Sequence, residues 1–536
     1  MPIETEMITV SSLEKIFPLS EIELTLTEAT MLKDERFSFQ IAVRPHERVL
    51  GASLEIMGDE KNFCRIRRVD LAPAYQTEIE KTEGTIGKAA TLYPEILVDD
   101  DCRDISLRGG MWTAFWITAE MLSVGKHSFT FCLRDAENEV IATTRFCLTV
   151  LPQNLSSQRV SYSNWMHYDC ISNYYNKKPF TPGYYKILGK FLDNALSHGV
   201  TLLYTPLFTP PLDTQIGGER KTVQLVDVTE KDGKYSFNLD KLKRFVNFAR
   251  RHGFECFEFS HFFSQWGAQC APKIVDTEGN ILFGWNDLAD GEKYLNFLDA
   301  FLPELNIFIL KNKLSGKCYY HISDEPGTGC IDRYEKLVAF VRPRLENAKL
   351  MDALSSYEFY ERGLVDLPVV ATSDVAPFLK NAEEFWVYYC CGQYKNGLSN
   401  RFFNFPSARN RSLGIQLYFS GVNGFLQWGY NFYNSYLSKR SVDPYRVTDG
   451  NGGFQAGDAF IVYPGDGCVV DSLRHEVFYE GLQDYRALKK LEELKGRNSV
   501  IAMLNEFGIK AGFENAVCDG RTLIRLREKI NAAIVA

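Results

Sequence analysis

Three consecutive pieces decide the fold: Cys318-Tyr-Tyr-His-Ile-Ser-Asp324, then Ile331-Asp-Arg-Tyr-Glu-Lys-Leu-Val-Ala-Phe-Val-Arg-Pro-Arg-Leu345, then Lys349-Leu-Met-Asp-Ala-Leu-Ser-Ser356. The outer two are short apolar and aromatic runs of strand length. The middle one repeats its apolar residues with helical period. Strand, helix and strand in that order imply a parallel βαβ unit. The same rhythm extends in both directions. Strand-like runs also fall at Val160–Asp169, Thr201–Phe208, Glu255–Phe263, Leu367–Asp374, Glu384–Cys391 and Gly424–Asn431. Helical stretches at Tyr184–Ser197, Leu239–Arg251 and Lys293–Leu310 separate several of them. Eight repeats of the unit predict a closed (β/α)8 barrel of the TIM type.

Upstream of residue 152 the period is two. Phe37, Phe39, Ile41 and Val43 alternate with polar or small residues, as do Phe129, Phe131 and Leu133, and Phe146, Leu148 and Val150. Such alternation marks half-buried strands, with a hairpin turn expected at Asp135–Asn138. The expected organisation is an N-terminal antiparallel β-sandwich over 1–152, a linker at Pro152–Gln158, a catalytic barrel over 159–495 and a C-terminal helical extension over 496–536. Glu476–Lys495 closes the barrel, and Thr522–Ala533 forms a terminal helix.

Composition narrows the function. A net charge of −8 argues against nucleic-acid or anionic-membrane partners, which need a basic face. No run of about 18 apolar residues is present to span a bilayer. The first residues show no basic segment followed by an apolar one, so the expected location is cytoplasmic. The 13 cysteines are odd in number and lack framework spacing, which fits reduced thiols. Aromatics make up 13% of the chain, which suits both aromatic cores and the flat faces of sugars.

Barrel enzymes carry their sites at the C-terminal ends of the strands. Those ends hold His167, Asp169, His261, Trp266, His321, Asp324, Glu325, Tyr388, Tyr389, Trp428 and Asn431. The adjacent Asp324-Glu325 pair is the strongest candidate for chemistry. Glycoside cleavage needs an acid beside the leaving oxygen and a second group to stabilise the oxocarbenium-like centre. Neighbours on a regular strand face opposite ways, so both can enter one pocket only where the strand stops. Pro326 is expected to supply that stop. Repulsion within the pair is expected to raise one pKa.

The chain resembles glycoside hydrolase family 123, the β-N-acetylgalactosaminidase group. The resemblance is carried by His321-Ile-Ser-Asp-Glu-Pro326, Trp386-Val-Tyr-Tyr-Cys390, Gly424-Phe-Leu-Gln-Trp-Gly429, Gly457-Asp458 with Tyr463-Pro-Gly465, and the Ser472-x-Arg474-x-Glu476…Gly481-x-x-Asp484-Tyr485 pattern. It implies a retaining mechanism in which the substrate's own 2-acetamido group is the nucleophile and forms an oxazoline. It further implies that Glu325 is the acid and base, and that Asp324 orients the acetamido group. No cofactor or metal is implied. From their strand-end positions, Tyr388 or Tyr389 would bond the acetamido oxygen and Trp428 would stack under the sugar, with Trp266 a second platform. His167, Asp169, His261, His321 and Asn431 would bind hydroxyls. Two rival readings remain: a metal-dependent barrel hydrolase using His167, Asp169, His261 and His321, and a carbohydrate-binding protein without turnover.

Overall fold

Alternating large apolar residues give each N-terminal strand one inward face. Phe39, Ile41, Phe129, Phe131, Phe146 and Leu148 all lie in a single buried cluster between two sheets. The computed structural model describes residues 4–75, 84–86 and 91–536. One sheet has five strands in the order Thr5–Ser11, Phe37–Pro45, Thr113–Ala119, Cys64–Ala74 and Thr91–Val98. The other runs Glu28–Lys33, Val140–Asn154, Gly125–Arg134, Val49–Met57 and Ile105–Leu107. The turn at Asp135–Asn138 is present: the Asp135 carboxylate accepts from the Glu137 and Glu139 amides, and Asn138 is left-handed. Pairing is antiparallel except at one edge, where Glu28–Lys33 runs parallel to Val140–Asn154. These strands are far apart in sequence, so no tight turn forces them antiparallel.

The barrel strands are β1 (Ser161–Asn164), β2 (Leu202–Thr205), β3 (Cys256–Phe259), β4 (Cys318–His321), β5 (Lys349–Leu354), β6 (Leu367–Ala371), β7 (Trp386–Tyr388) and β8 (Gly424–Gln427). All pair in parallel, and β8 closes on β1 through Ser161↔Gly424 to Asn164↔Gln427. Each strand lies inside one of the eight expected runs. Residues of one parity, including Trp165, Tyr204, Met351, Val369, Trp386, Tyr388 and Leu426, fill the barrel interior. Those of the other parity, such as Leu203, Phe257, Val387, Tyr389 and Phe425, pack under the helices.

The predicted helices form at Pro182–Ser197, Asp240–Arg251, Glu292–Lys311 and Ile331–Val341. The barrel's last helix, Leu473–Lys495, starts at a Ser472 cap whose hydroxyl accepts from the His475 amide. It crosses the short helix Leu413–Ser420 where Gly414 meets Gly481; a Cβ on Gly414 would sit 1.8 Å from the Gly481 carbonyl oxygen. The terminal helix, Gly520–Val535, lies on the sandwich, where Asn531 and Glu528 bond Thr30. No helix among the described residues is long and apolar enough to cross a membrane.

Candidate active site

The fourth strand stops at His321, three residues before Asp324 and well before Pro326. The intervening backbone is laced to its neighbours instead. Ser323 donates its amide to the Asp352 carboxylate at 3.0 Å and its hydroxyl to the Ser264 carbonyl at 2.8 Å. Trp266 N–H donates to the Asp324 carbonyl at 2.7 Å, and Glu325 N–H to the Ala353 carbonyl at 3.0 Å. Glu325 then takes a left-handed conformation with φ 48°, and Trp266 does the same with φ 55°. Such a backbone is costly for a side chain other than glycine and persists only where its surroundings enforce it. The left-handed turn, not the proline, lets two consecutive carboxylates reach one cavity.

That cavity has a volume of about 200 Å³ at the barrel mouth. Six aromatic residues, Trp165, Trp266, Trp428, Tyr388, Tyr436 and Phe454, line it, and Asp213, Asp324 and Glu325 are its carboxylates. Tyr388 donates its hydroxyl to Glu325 Oε1 at 2.7 Å. Burial, and then the charge of Glu325, hold Asp324 well above the ordinary carboxylate range. The raised member of the pair expected from repulsion is therefore Asp324. Burial also pushes Asp213 up to about 6, against the amide of Leu437, which donates to its Oδ2 at 2.9 Å.

The structure separates the other expected residues. Trp266 and Trp428 line the cavity with Tyr388. Trp266 is 43% exposed, whereas Trp428 packs on Phe432 and Phe454 and donates to Asp458 at 3.2 Å. Tyr389 has the opposite parity to Tyr388 and is buried against Phe425 outside the barrel. His167, Asp169, His261, His321 and Asn431 are buried and are not on the cavity wall. Arg220 donates to His167 Nδ1 at 3.0 Å and grips Asp169 through two bonds, so a cation of the protein's own occupies the space between them. Burial keeps His167 neutral, its pKa lowered to about 3. Asn431 ties down the His167 backbone. His261 and His321 stack at 4.4 Å, with His321 Nε2 2.5 Å from Glu258. These five side chains form the layer beneath and beside the cavity. Among the described residues, the donors close enough to share a cation are His198, Asp471 and His475, at the seam with the sandwich.

Trp165, Asp213 and Glu258 were not among the expected residues. Glu258 is wholly buried and accepts from Trp165 Nε1 at 2.6 Å as well as from Ser163, so it holds the tryptophan that floors the cavity. A glutamate between two phenylalanines in Cys256-Phe-Glu-Phe259 was the available signal, since buried carboxylates need dedicated partners. Asp213 lies in a loop past β2, where no periodicity marks it.

A closed parallel barrel with an acid pair just past its fourth strand, set in an aromatic cavity, is the layout of a barrel glycosidase. The family model described as Glycoside hydrolase 123, catalytic domain, matches residues 165–491, and the chain belongs to that family. In structure it is similar to a family 123 glycoside hydrolase from Clostridium perfringens, with a TM-score of 0.77 at 13% identity, covering 99% of this chain and 98% of that one. That likeness extends the shared fold over the sandwich. Much weaker overlaps include an endo-β-1,4-mannanase from Thermotoga petrophila, with a TM-score of 0.35 at 12% identity over 61% of this chain and 77% of that one. Comparison with curated protein sequences returned no match.

Proposed function

We propose that this glycoside hydrolase is a retaining β-N-acetylhexosaminidase of the β-N-acetylgalactosaminidase type, assisted by its substrate. The carrying observation is that Asp324 and Glu325 enter one aromatic cavity from consecutive positions of a single turn. A carboxylate nucleophile would instead attack the sugar ring from the side opposite the acid. Here the substrate's acetamido oxygen attacks C1 as the C1–O bond breaks, and Glu325 gives its proton to the departing oxygen. Asp324 accepts the acetamido N–H and steadies the positive charge of the oxazoline intermediate. Glu325, now ionised, takes a proton from the water that reopens the ring at C1. Tyr388 orients Glu325 through the hydrogen bond that it donates to Oε1.

The test uses aryl 2-acetamido-2-deoxy-β-glycosides with wild type, Glu325→Gln and Asp324→Asn. Both variants are expected to lose several orders of magnitude in kcat, about 10³-fold or more by the usual worth of such groups. Wild-type rates in both variants on a glycoside the protein cleaves would end the assignment. An oxazoline-mimicking inhibitor is expected to bind wild type tightly and Asp324→Asn weakly. The structurally similar Clostridium perfringens enzyme carries out glycolipid glycan hydrolysis, so glycolipid glycans bearing a terminal 2-acetamido sugar are the natural substrates to try. All thirteen cysteines are free, which supports work in a reducing compartment.

A further inference from the structure

The hydroxyls of a bound pyranose need partners, and the cavity offers few. Asp324 and Glu325 are committed to the chemistry, and Tyr388 to Glu325. The indole N–H groups of Trp165 and Trp428 are held by Glu258 and Asp458. Asp213 is the remaining carboxylate on the wall. One of its oxygens, Oδ2, accepts from the Leu437 amide at 2.9 Å. The other has no hydrogen-bond partner among the described residues and is not sealed from solvent, and the residue lines the cavity wall.

The surrounding backbone fixes that placement. Asp213 is left-handed with φ 37°, and Leu437 and Ser438 opposite it are left-handed at 57° and 51°. The two loops are cross-tied: Ser438 Oγ donates to the Asp213 carbonyl at 2.7 Å, and the Gln215 amide donates to the Leu437 carbonyl at 3.0 Å. Three uncommon backbone conformations in one clasp, with one carboxylate oxygen pinned, are a device for presenting the other.

Resting on the reading of this cavity as the seat of the cleaved sugar, we propose that Asp213 is a specificity-determining residue that accepts a hydrogen bond from one ring hydroxyl of that sugar. A site built around a substrate hydroxyl rejects the analogue lacking it, because its own polar group is left unpaired. The substrate class is therefore a sugar with a free hydroxyl at the position facing the 213/437 clasp. Capping or inverting that hydroxyl removes the substrate from the class.

The experiment measures kcat/KM of wild type, Asp213→Asn and Asp213→Ala on the best-cleaved aryl glycoside and on its 3-, 4- and 6-deoxy analogues. In wild type one analogue is expected to fall by about 100-fold or more relative to the parent. In Asp213→Ala that same analogue and the parent should become equal within a few-fold, while the ratios for the other two analogues stay as in wild type. A purely structural role would depress the parent and all three analogues alike, and that outcome overturns the proposal. So does a loss of several orders of magnitude on every substrate, which would make Asp213 a reacting group. Asp213→Asn keeps an acceptor for Leu437 and should show an intermediate ratio; unchanged ratios in a folded Asn variant would also overturn the assignment. The comparison needs only that some aryl glycoside is cleaved, so it can fail while substrate assistance stands. Substrate assistance can equally fail, by loss of oxazoline-mimic binding, while the Asp213 ratios hold.

Discussion

Tyr388 shows how much one strand position decides. It is the last residue of β7, faces the barrel interior and donates to Glu325 at 2.7 Å. A hydrogen bond to an ionisable partner contributes about 1.5–3 kcal/mol. On the proposed role of Glu325 as proton carrier, Tyr388→Phe is therefore expected to lower kcat by about 10–100-fold while KM changes little, because the bond orients that carboxyl without holding the sugar. Steady-state kinetics on an aryl glycoside checks this, and an effect confined to KM would contradict it. The next residue, Tyr389, faces the opposite way and packs under the helices. Composition could not choose between them, and strand parity could, once the end of β7 was known. The same reasoning explains the histidines. They stand at strand ends as expected, yet their side chains go to Arg220, Glu258 and Tyr204 in the layer below the cavity. That Asp324 and Glu325 meet at the barrel mouth was legible from their place just past the fourth strand. Trp165 and Asp213 were not, since their roles depend on which loops meet across the barrel mouth.

At the level of elements, the eight strands were all legible, and their ends were not. Each apolar run extends beyond its strand; past β4 the amides of Ile322 and Glu325 still donate to Met351 and Ala353 of β5, whereas the carbonyls of Ile322 and Asp324 accept from Phe263 and Trp266 in the loop after β3, and Ser323 bonds the Asp352 side chain. The hairpin Asp227–Lys231 with Lys234–Asn238 escaped notice because its outer strand is mostly exposed and carries no apolar stripe. Helix contacts are marked by small residues instead. At the crossing of Leu413–Ser420 with Leu473–Lys495, a Cβ on Gly414 would lie 1.8 Å from the Gly481 carbonyl oxygen, and one on Gly481 would lie 2.6 Å from the Arg411 carbonyl oxygen. Both obstacles are backbone, so no side-chain rotation relieves them. Gly414→Ala must push the two helices apart and is expected to cost at least about 1–3 kcal/mol, the usual range for overpacking. Thermal unfolding reads this as a lowered Tm. An unchanged Tm would show that the crossing yields freely.

Across the whole molecule, the Ser472-x-Arg474-x-Glu476…Gly481-x-x-Asp484 pattern holds the barrel to the sandwich rather than serving the cavity. Arg474 pairs with Glu95 of the sandwich at 2.7 Å, Arg67 of the sandwich with Glu476 at 2.7 Å and with Asp471 at 3.2 Å, and Asp484 with Arg527 at 2.9 Å, which in turn holds Glu35. Every one of these groups is buried. Removing one partner of a buried pair leaves an uncompensated charge and costs about 3–5 kcal/mol. Arg67→Met should therefore destabilise the protein strongly at pH 7. The pH dependence gives the sharper test. Despite burial, neighbouring groups keep Asp471 and Glu476 below the ordinary carboxylate range, His198 and the hydrogen bond to His475 acting on Asp471, and Arg36 and Arg67 on Glu476. A carboxylate depressed on folding contributes stability that is present above its unfolded pKa, about 4, and is lost as pH falls through the folded value. Without Arg67 that depression is smaller, and protonation relieves the unpaired anions. The gap in Tm between wild type and Arg67→Met is thus expected to be widest near pH 7 and to shrink toward pH 3. Buried His167, lowered to about 3, also costs stability as pH falls below about 6.5, but it touches neither Arg67 nor its partners, so that loss is common to the two proteins and cancels in the difference. Melting curves of both proteins between pH 3 and 7 decide it: a gap that stays constant with pH would mean that Arg67 acts by packing and not by charge.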